Sequence, residues 1–302
     1  MNGPLPTIAV PERFIGLWRR RLLETESVRD TQTDVWWLQT GSLYADLRQP
    51  TGLHPSKRST PQQLALQQGF AGALEVQGDV LTWHRWLDFQ PPSGVADVGR
   101  VHFENGQLIE EGVLAPYREV WECVAAASDD RVALALHSER MDSGEWRERR
   151  GVLVVLGEYF MFALDRSLHL SRGGDAQAGR KSAFAVFRLD CEISFGVRDG
   201  RVPWEIQRST LAERAGMSLQ AVHGLPALDK NGQWRQIVPL PASVRRWRAV
   251  EIGVAPAVPG LGSLPQFPAR PGGRDGLRRR NADGISALRG ALRRADTGGQ
   301  HG

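Results

Sequence analysis

The chain has 302 residues, of which 41% are hydrophobic and 24% charged, a globular balance with room for one large domain or two ordinary ones. No run approaches the ~20 apolar residues that span a bilayer. The opening MNGPLPTIAVPERF has neither the basic start nor the apolar core of a secretory signal, so a cytoplasmic protein is expected. The net charge of +4 belongs to one end: residues 256–302 hold eight arginines against three aspartates, leaving the remainder at about −1 and giving no strong nucleic-acid signal.

In chain order, short apolar runs rich in β-branched and aromatic residues alternate with turn residues. They are Val35–Leu38, Leu43–Leu47, Leu81–Phe89, Val132–Leu136, Val152–Leu156, Tyr159–Leu164, Phe184–Leu189 and Trp234–Val238. Gln77-Gly78-Asp79, Asn105-Gly106, Asp199-Gly200 and Asn231-Gly232 separate strands, and Asn-Gly suits a type I′ hairpin turn. Residues 51–69 break the pattern. Thr60 and Pro61 there can cap a short helix over Gln62–Gln68. A second short helix is expected near Ser209–Ala215. Many short strands with few helices predict an all-β barrel or sandwich.

The second half echoes the first in the same order. Gly16-Leu17-Trp18-Arg19 is matched by Glu119-Val120-Trp121-Glu122, and Tyr44–Arg48 by Phe162–Arg166. Trp86-Leu87-Asp88 is matched by Trp204-Glu205-Ile206, and Asn105-Gly106-Gln107 by Asn231-Gly232-Gln233. Two copies of one barrel unit are expected, at 1–115 and 116–252. Residues 253–302, dominated by Gly, Pro, Ala and Arg, read as a disordered tail.

Gly16-Leu17-Trp18 is similar to the G-x-W that opens lipocalin-type barrels, where the Trp plugs the closed end. From Leu38 to Arg166 the chain resembles a two-barrel lipocalin-like family typified by a fungal protein that associates with a casein-kinase-type enzyme. The residues carrying this are Ser42–Arg48, Phe70-Ala71-Gly72, Trp86-Leu87-Asp88 and Glu110-Glu111-Gly112 leading to Ala115-Pro116-Tyr117. Arg118-Glu119-Val120-Trp121 and Leu156-Gly157-Glu158-Tyr159 continue it. The resemblance implies two tandem lipocalin-like antiparallel barrels and supplies no catalytic residues.

No Walker loop, GxGxxG, GxSxG, HExxH or EF-hand pattern occurs, and the seven histidines are scattered, so neither cofactor nor metal is expected. Cys123 and Cys191 read as buried free thiols. On strand 42–48, Ser42, Tyr44, Asp46 and Arg48 share one face, and Leu43, Ala45 and Leu47 the other. Polar-out is the usual sheet pattern. In a double barrel the apolar face can instead pack between halves, turning the polar face into the cavity. Trp83, Arg85, Leu87 and Phe89 should share one face of the next constellation. His84, Trp86 and Asp88 should share the other, with His84 and Asp88 as a possible proton-transfer pair.

These patterns give acid–base candidates Tyr44, Asp46, Arg48, His84, Asp88 and Glu119. They give ligand-binding candidates Trp36, Gln39, Tyr44, Arg48, Trp83, Trp86 and Trp121. The expected function is binding of a small, partly apolar molecule in a barrel cavity. The alternatives are a cofactor-free lyase, isomerase or hydrolase acting from the first barrel, and a protein-interaction module. An apolar cavity with one or two polar groups favours binding, and several converging ionisable groups favour catalysis.

Overall fold

The computed structural model describes residues 9–52, 59–90, 94–141, 143–166, 190–239 and 242–253. The first sheet contains β1 (Gly16–Glu24), β2 (Arg29–Asp30), β3 (Asp34–Gln39), β4 (Leu43–Gln49), β5 (Gln68–Gln77), β6 (Val80–Asp88), β7 (Asp97–Glu104), β8 (Gln107–Gly112) and β9 (Arg118–Ala126). The second contains β10 (Arg131–Met141), β11 (Trp146–Glu148), β12 (Gly151–Leu156), β13 (Tyr159–Leu164), β14 (Glu192–Asp199), β15 (Pro203–Ser209), β16 (Ala227–Leu228), β17 (Trp234–Val238) and β18 (Ser243–Ile252). The only α-helices among the described residues are α1 (Pro61–Leu64) and α2 (Leu219–His223), so the chain is all-β. Thr60 caps α1: its Oγ1 accepts from the Gln63 amide at 3.2 Å, and Gln63 Oε1 accepts from the Thr60 amide at 2.8 Å.

All ladders are antiparallel, and β1 pairs with β9, which closes the first sheet into an eight-stranded barrel with β2 as a spur. Asn105 and Gly106 both have positive φ, 49° and 78°, as a type I′ turn between β7 and β8 requires. The second sheet repeats the order. From β6 the barrel runs β6-β5-β4-β3-β1-β9-β8-β7, and the second sheet runs β15-β14-β13-β12-β10-β18-β17-β16. Only the pairing that would match β6 with β7 is missing among the described residues. The second sheet is therefore the same barrel opened at one seam, a half-barrel rather than a closed one.

Three of the four sequence echoes fall on matching strands. The exception is Glu119-Val120-Trp121, which lies on β9, the neighbour of β1 and not its counterpart. The first barrel thus runs through Ala126, past the expected junction at 115–116, because β9 is needed to close it. The second unit begins at β10. The expected strand Phe184–Leu189 and the tail from 254 onward lie outside the described residues.

The apolar runs β12 and β13 are buried at every position, as strands covered on both faces should be. β12 packs over β3, β4 and β5 of the barrel, and β13 and β14 also reach β4. Trp36 stacks on Phe195 of β14 with centroids 4.9 Å apart and planes at 10°. Gly69 leaves space for Ile193, whose Cδ1 would lie 2.8 Å from any added Cβ. Polar ties surround this contact: Gln49 Nε2 donates to the Ser209 carbonyl, Gln67 Nε2 to that of Thr210, and Arg208 pairs with Asp34 at 2.7 Å.

At the open seam, α2 lies between β15 and β17. Its His223 is buried and bonds Glu192 Oε2 at 2.8 Å, with Arg245 Nη1 3.3 Å from its Nδ1. Since a guanidinium only donates, Nδ1 is the acceptor and the Nε2 proton goes to Glu192. Arg245 Nε donates to Glu139 at 2.7 Å, and Arg149 holds the other Glu139 oxygen. Burial would raise the Glu139 carboxyl, but Arg245 and Arg149 outweigh it and hold it at about 2. A depressed carboxylate stabilises the fold above its unfolded pKa of 4.5, and that stability is lost as pH falls toward 2. Glu139→Gln should therefore cost roughly 3–5 kcal/mol at neutral pH by stranding Arg245. It should also flatten the acid limb of stability below pH 4.5, read by urea unfolding across pH.

Candidate functional site

The two ends of the first barrel differ. At one end a 3₁₀ turn, Glu12–Phe14, folds beneath the strands. Trp18 Nε1 donates to the Phe14 carbonyl at 2.9 Å, Phe14 stacks on Phe103, and Trp18 stacks on Trp37 at 5.9 Å. This end is closed. Toward the other end the interior holds a cavity of about 280 Å³, at the small end of ligand pockets.

Trp37, Trp83, Trp121 and Phe70 supply its aromatic wall. Asp46 and Arg48 enter from β4, Arg85 from β6, Asp97 from β7, Glu110 from β8, Tyr117 from just before β9 and Glu119 from its start. The position of β4 follows from alternation. Leu43, Ala45 and Leu47 are all buried on the face toward the second sheet, so Tyr44, Asp46 and Arg48 must turn inward.

The arginines here are held by carboxylates. Arg48 bonds Asp46 at 2.9 Å and reaches Glu119 at 3.5 Å. The nearly sealed Arg20 bonds Glu119 at 2.6 Å and Asp30 at 2.9 Å. Arg85 bonds Asp88 at 2.9 Å and Asp97 through Nε at 3.1 Å. Three guanidinium groups thus meet five carboxylates, and Glu110 makes a sixth. Among the described residues no ion pair joins Glu110 to a cation. It accepts instead from the Tyr117 hydroxyl at 2.6 Å and from Trp121 Nε1 at 3.1 Å. Glu110 is 4% exposed. Burial, then the Glu119 charge, push its carboxyl up to about 8. Burial also raises Asp46 above the usual range despite Arg48, and raises the Tyr117 phenol. Gly99 on β7 makes room for Glu110, since a Cβ there would come within 2.7 Å of its Cγ.

Of the expected acid–base residues, Asp46, Arg48 and Glu119 converge in this cavity. Tyr44 is fully buried on their strand face against Phe70, and its hydroxyl has no hydrogen-bond partner among the described residues. His84 is elsewhere: it is exposed and bonds Glu75 at 2.8 Å, so the His84–Asp88 pair does not form. The reason is a bulge. Ala71 pairs with Leu87 and Gly72 with Arg85, leaving Trp86 as the extra residue. Alternation shifts there, and Asp88 joins Arg85 instead. Gly72 is required opposite this bulge, because an added Cβ would meet the His84 carbonyl oxygen at 1.9 Å.

Of the expected ligand-binding residues, Trp83, Trp121 and Arg48 line the cavity. Trp36 faces the second sheet, and Trp86 sits at the bulge. The Gln39 carboxamide is committed to Trp37 and to the Thr40 and Leu43 carbonyls. Cys191 is buried, and burial pushes its thiol up to about 12, whereas Cys123 is only half-buried. Sequence reading missed Glu110, Tyr117, Asp97 and Arg85 as cavity residues. The available signal was period two: Glu110 shares a face with Leu108, and Tyr117 with Glu119 and Trp121.

Among the described residues no group of three or more His, Cys, Asp or Glu could hold a metal ion, and no helix is long and apolar enough to cross a membrane. No protein family, curated protein or solved structure matches the chain. What the fold and cavity define is a closed eight-stranded barrel with a charged, aromatic-walled interior, braced by an opened copy of itself.

Glu110 sets a signature in stability. A carboxyl raised from 4.5 to about 8 favours the fold at low pH, and that contribution is lost as pH rises through 8. Glu110→Gln, which cannot ionise, should be the more stable chain at pH 9 by on the order of 3–5 kcal/mol. The two should converge near pH 5 in chemical denaturation.

Proposed function

We propose that the first barrel binds a small molecule through its open end. A polar group of that molecule meets Glu110 and Tyr117, and a flat or apolar part lies against Trp83 and Trp121. The observation that carries this reading is a cavity inside the barrel in which, among the described residues, one carboxylate lacks a charged partner while every neighbouring arginine has one. Packed interiors rarely keep such space or such a group without use for it. The second half supports the choice of barrel, because there α2 packs against β15 and β17 with His223 buried against Glu192.

A second reading has its own observation. Several buried ionisable groups converge here, which is the pattern of acid–base catalysis rather than of a plain apolar pocket. A carboxyl near pH 8, hydrogen-bonded to a tyrosine, can hand over or take up a proton at neutral pH. No nucleophile or cofactor is needed for such a step.

Native mass spectrometry of the full chain from cells should show excess mass that denaturation removes. That mass should fall at least several-fold in Glu110→Gln and in Trp83→Phe. The reading fails if native and denatured masses agree and no compound in a metabolite library raises the melting temperature of the parent selectively over Glu110→Gln. If a bound compound is converted, catalysis requires a pH–rate limb near 8 that Glu110→Gln abolishes.

A further inference from the structure

We infer that the ligand of the first barrel carries a positive charge, an ammonium or similar cation on an apolar body, with the charge seated against Glu110 and the body emerging at the open end. This rests on the reading of the barrel as a small-molecule site and names its ligand class.

The charge argument is one of pairing. Arg48 and Arg85 are each held by two carboxylates, so an anionic ligand would find no unneutralised cation to meet. Glu110 is the one lining carboxylate with no ion pair among the described residues. The charged and titratable groups that share the cavity with it are Glu119 from β9, Asp97 from β7, Asp46 and Arg48 from β4, Arg85 from β6 and Tyr117 beside it. Three of those are acidic and two basic, so the local field favours a cation. Trp37, Trp83 and Trp121 add indole faces, which attract cations further when water is excluded.

The rim supplies the second observation. Five large apolar side chains, Val28, Leu66, Val95, Val113 and Leu114, are 49–62% exposed. In the chain all five follow or precede the ends of β1, β5, β7 and β8 that carry the cavity residues Thr25, Phe70, Asp97 and Glu110. Val28 is tied to the cavity residue Thr25, whose Oγ1 accepts from the Val28 amide at 3.0 Å. Val113 is fixed by its amide to the Val98 carbonyl at 2.9 Å. A charged interior beneath an apolar collar fits an amphiphile with a cationic head.

Binding should be coupled to a proton. Glu110 is protonated in the empty cavity below about pH 8. A cation seated against it drives that proton off, so each ligand bound near pH 6–7 releases close to one proton. Apparent affinity should fall about tenfold per pH unit below 8.

Octylammonium, octan-1-ol and octanoate form a matched probe set, titrated into the full chain by calorimetry in buffers of different ionisation heat. Octylammonium should bind at least tenfold more tightly than the other two and release a proton. Butylammonium, too short to reach the rim, should bind several-fold more weakly than octylammonium. Glu110→Gln should lose both the preference and the proton release. Equal or tighter binding of octanol or octanoate overturns the cation while leaving the barrel a binding site. So does octylammonium binding without proton release, or unaltered in Glu110→Gln. Failure of all three probes also overturns the cation inference, and the barrel reading is then decided by the mass and melting measurements on the native chain.

Discussion

The contact between the outer wall of β3–β5 and the strand β12 is what the rest of the molecule depends on. A β-strand has only two faces. Once Leu43, Ala45 and Leu47 are buried against the second sheet, Asp46 and Arg48 have nowhere to go but the barrel interior. In a lone barrel the same strand would turn the other way, with its polar side chains to water and its leucines inside. The cavity's charge is thus a consequence of the tandem arrangement.

The two halves share one strand order and differ in closure. One is closed and hollow; the other is opened at a seam where α2 lies. A buried ion pair crosses the same two strands in each, with its charges exchanged. In the barrel Arg20 of β1 bonds Glu119 of β9, and in the half-barrel Glu139 of β10 bonds Arg245 of β18. In the half-barrel the ionic groups are mutually satisfied, with Glu139 held by two arginines and His223 bridging Glu192 and Arg245. In the barrel they leave Glu110 without a cation among the described residues.

Much of the fold was legible because its signals are local. Asn105-Gly106 demanded a hairpin, the Thr60 cap placed α1, and the uninterrupted apolar runs of β12 and β13 announced strands. Asp46, Arg48, Glu119, Trp83 and Trp121 were legible as site residues because alternation put them on faces with other polar or aromatic groups. What was hidden depended on pairing partners far along the chain. The bulge at Trp86 is invisible without β5 opposite it, so His84 and Asp88 were placed on one face. β9 reads as the start of a second unit until its pairing with β1 is known, because an antiparallel neighbour and a repeat present the same Trp-centred pattern. Glu110 carried no motif, and its character arises from burial and from Glu119 and Asp97 on other strands.

Glu110 is also where folding and function pull apart. A glutamine there would keep the shape and give up the cost of holding a buried carboxyl in its protonated form, and a leucine would fill the space outright. Buried ionic groups replaced by apolar ones of similar volume often leave a protein as stable or more so. Tyr117 and Trp121 orient the carboxyl, Gly99 is small enough to admit it, and no arginine among the described residues neutralises it. Local choices that agree on holding an unfavourable group in one position make sense if that group meets something from outside the chain.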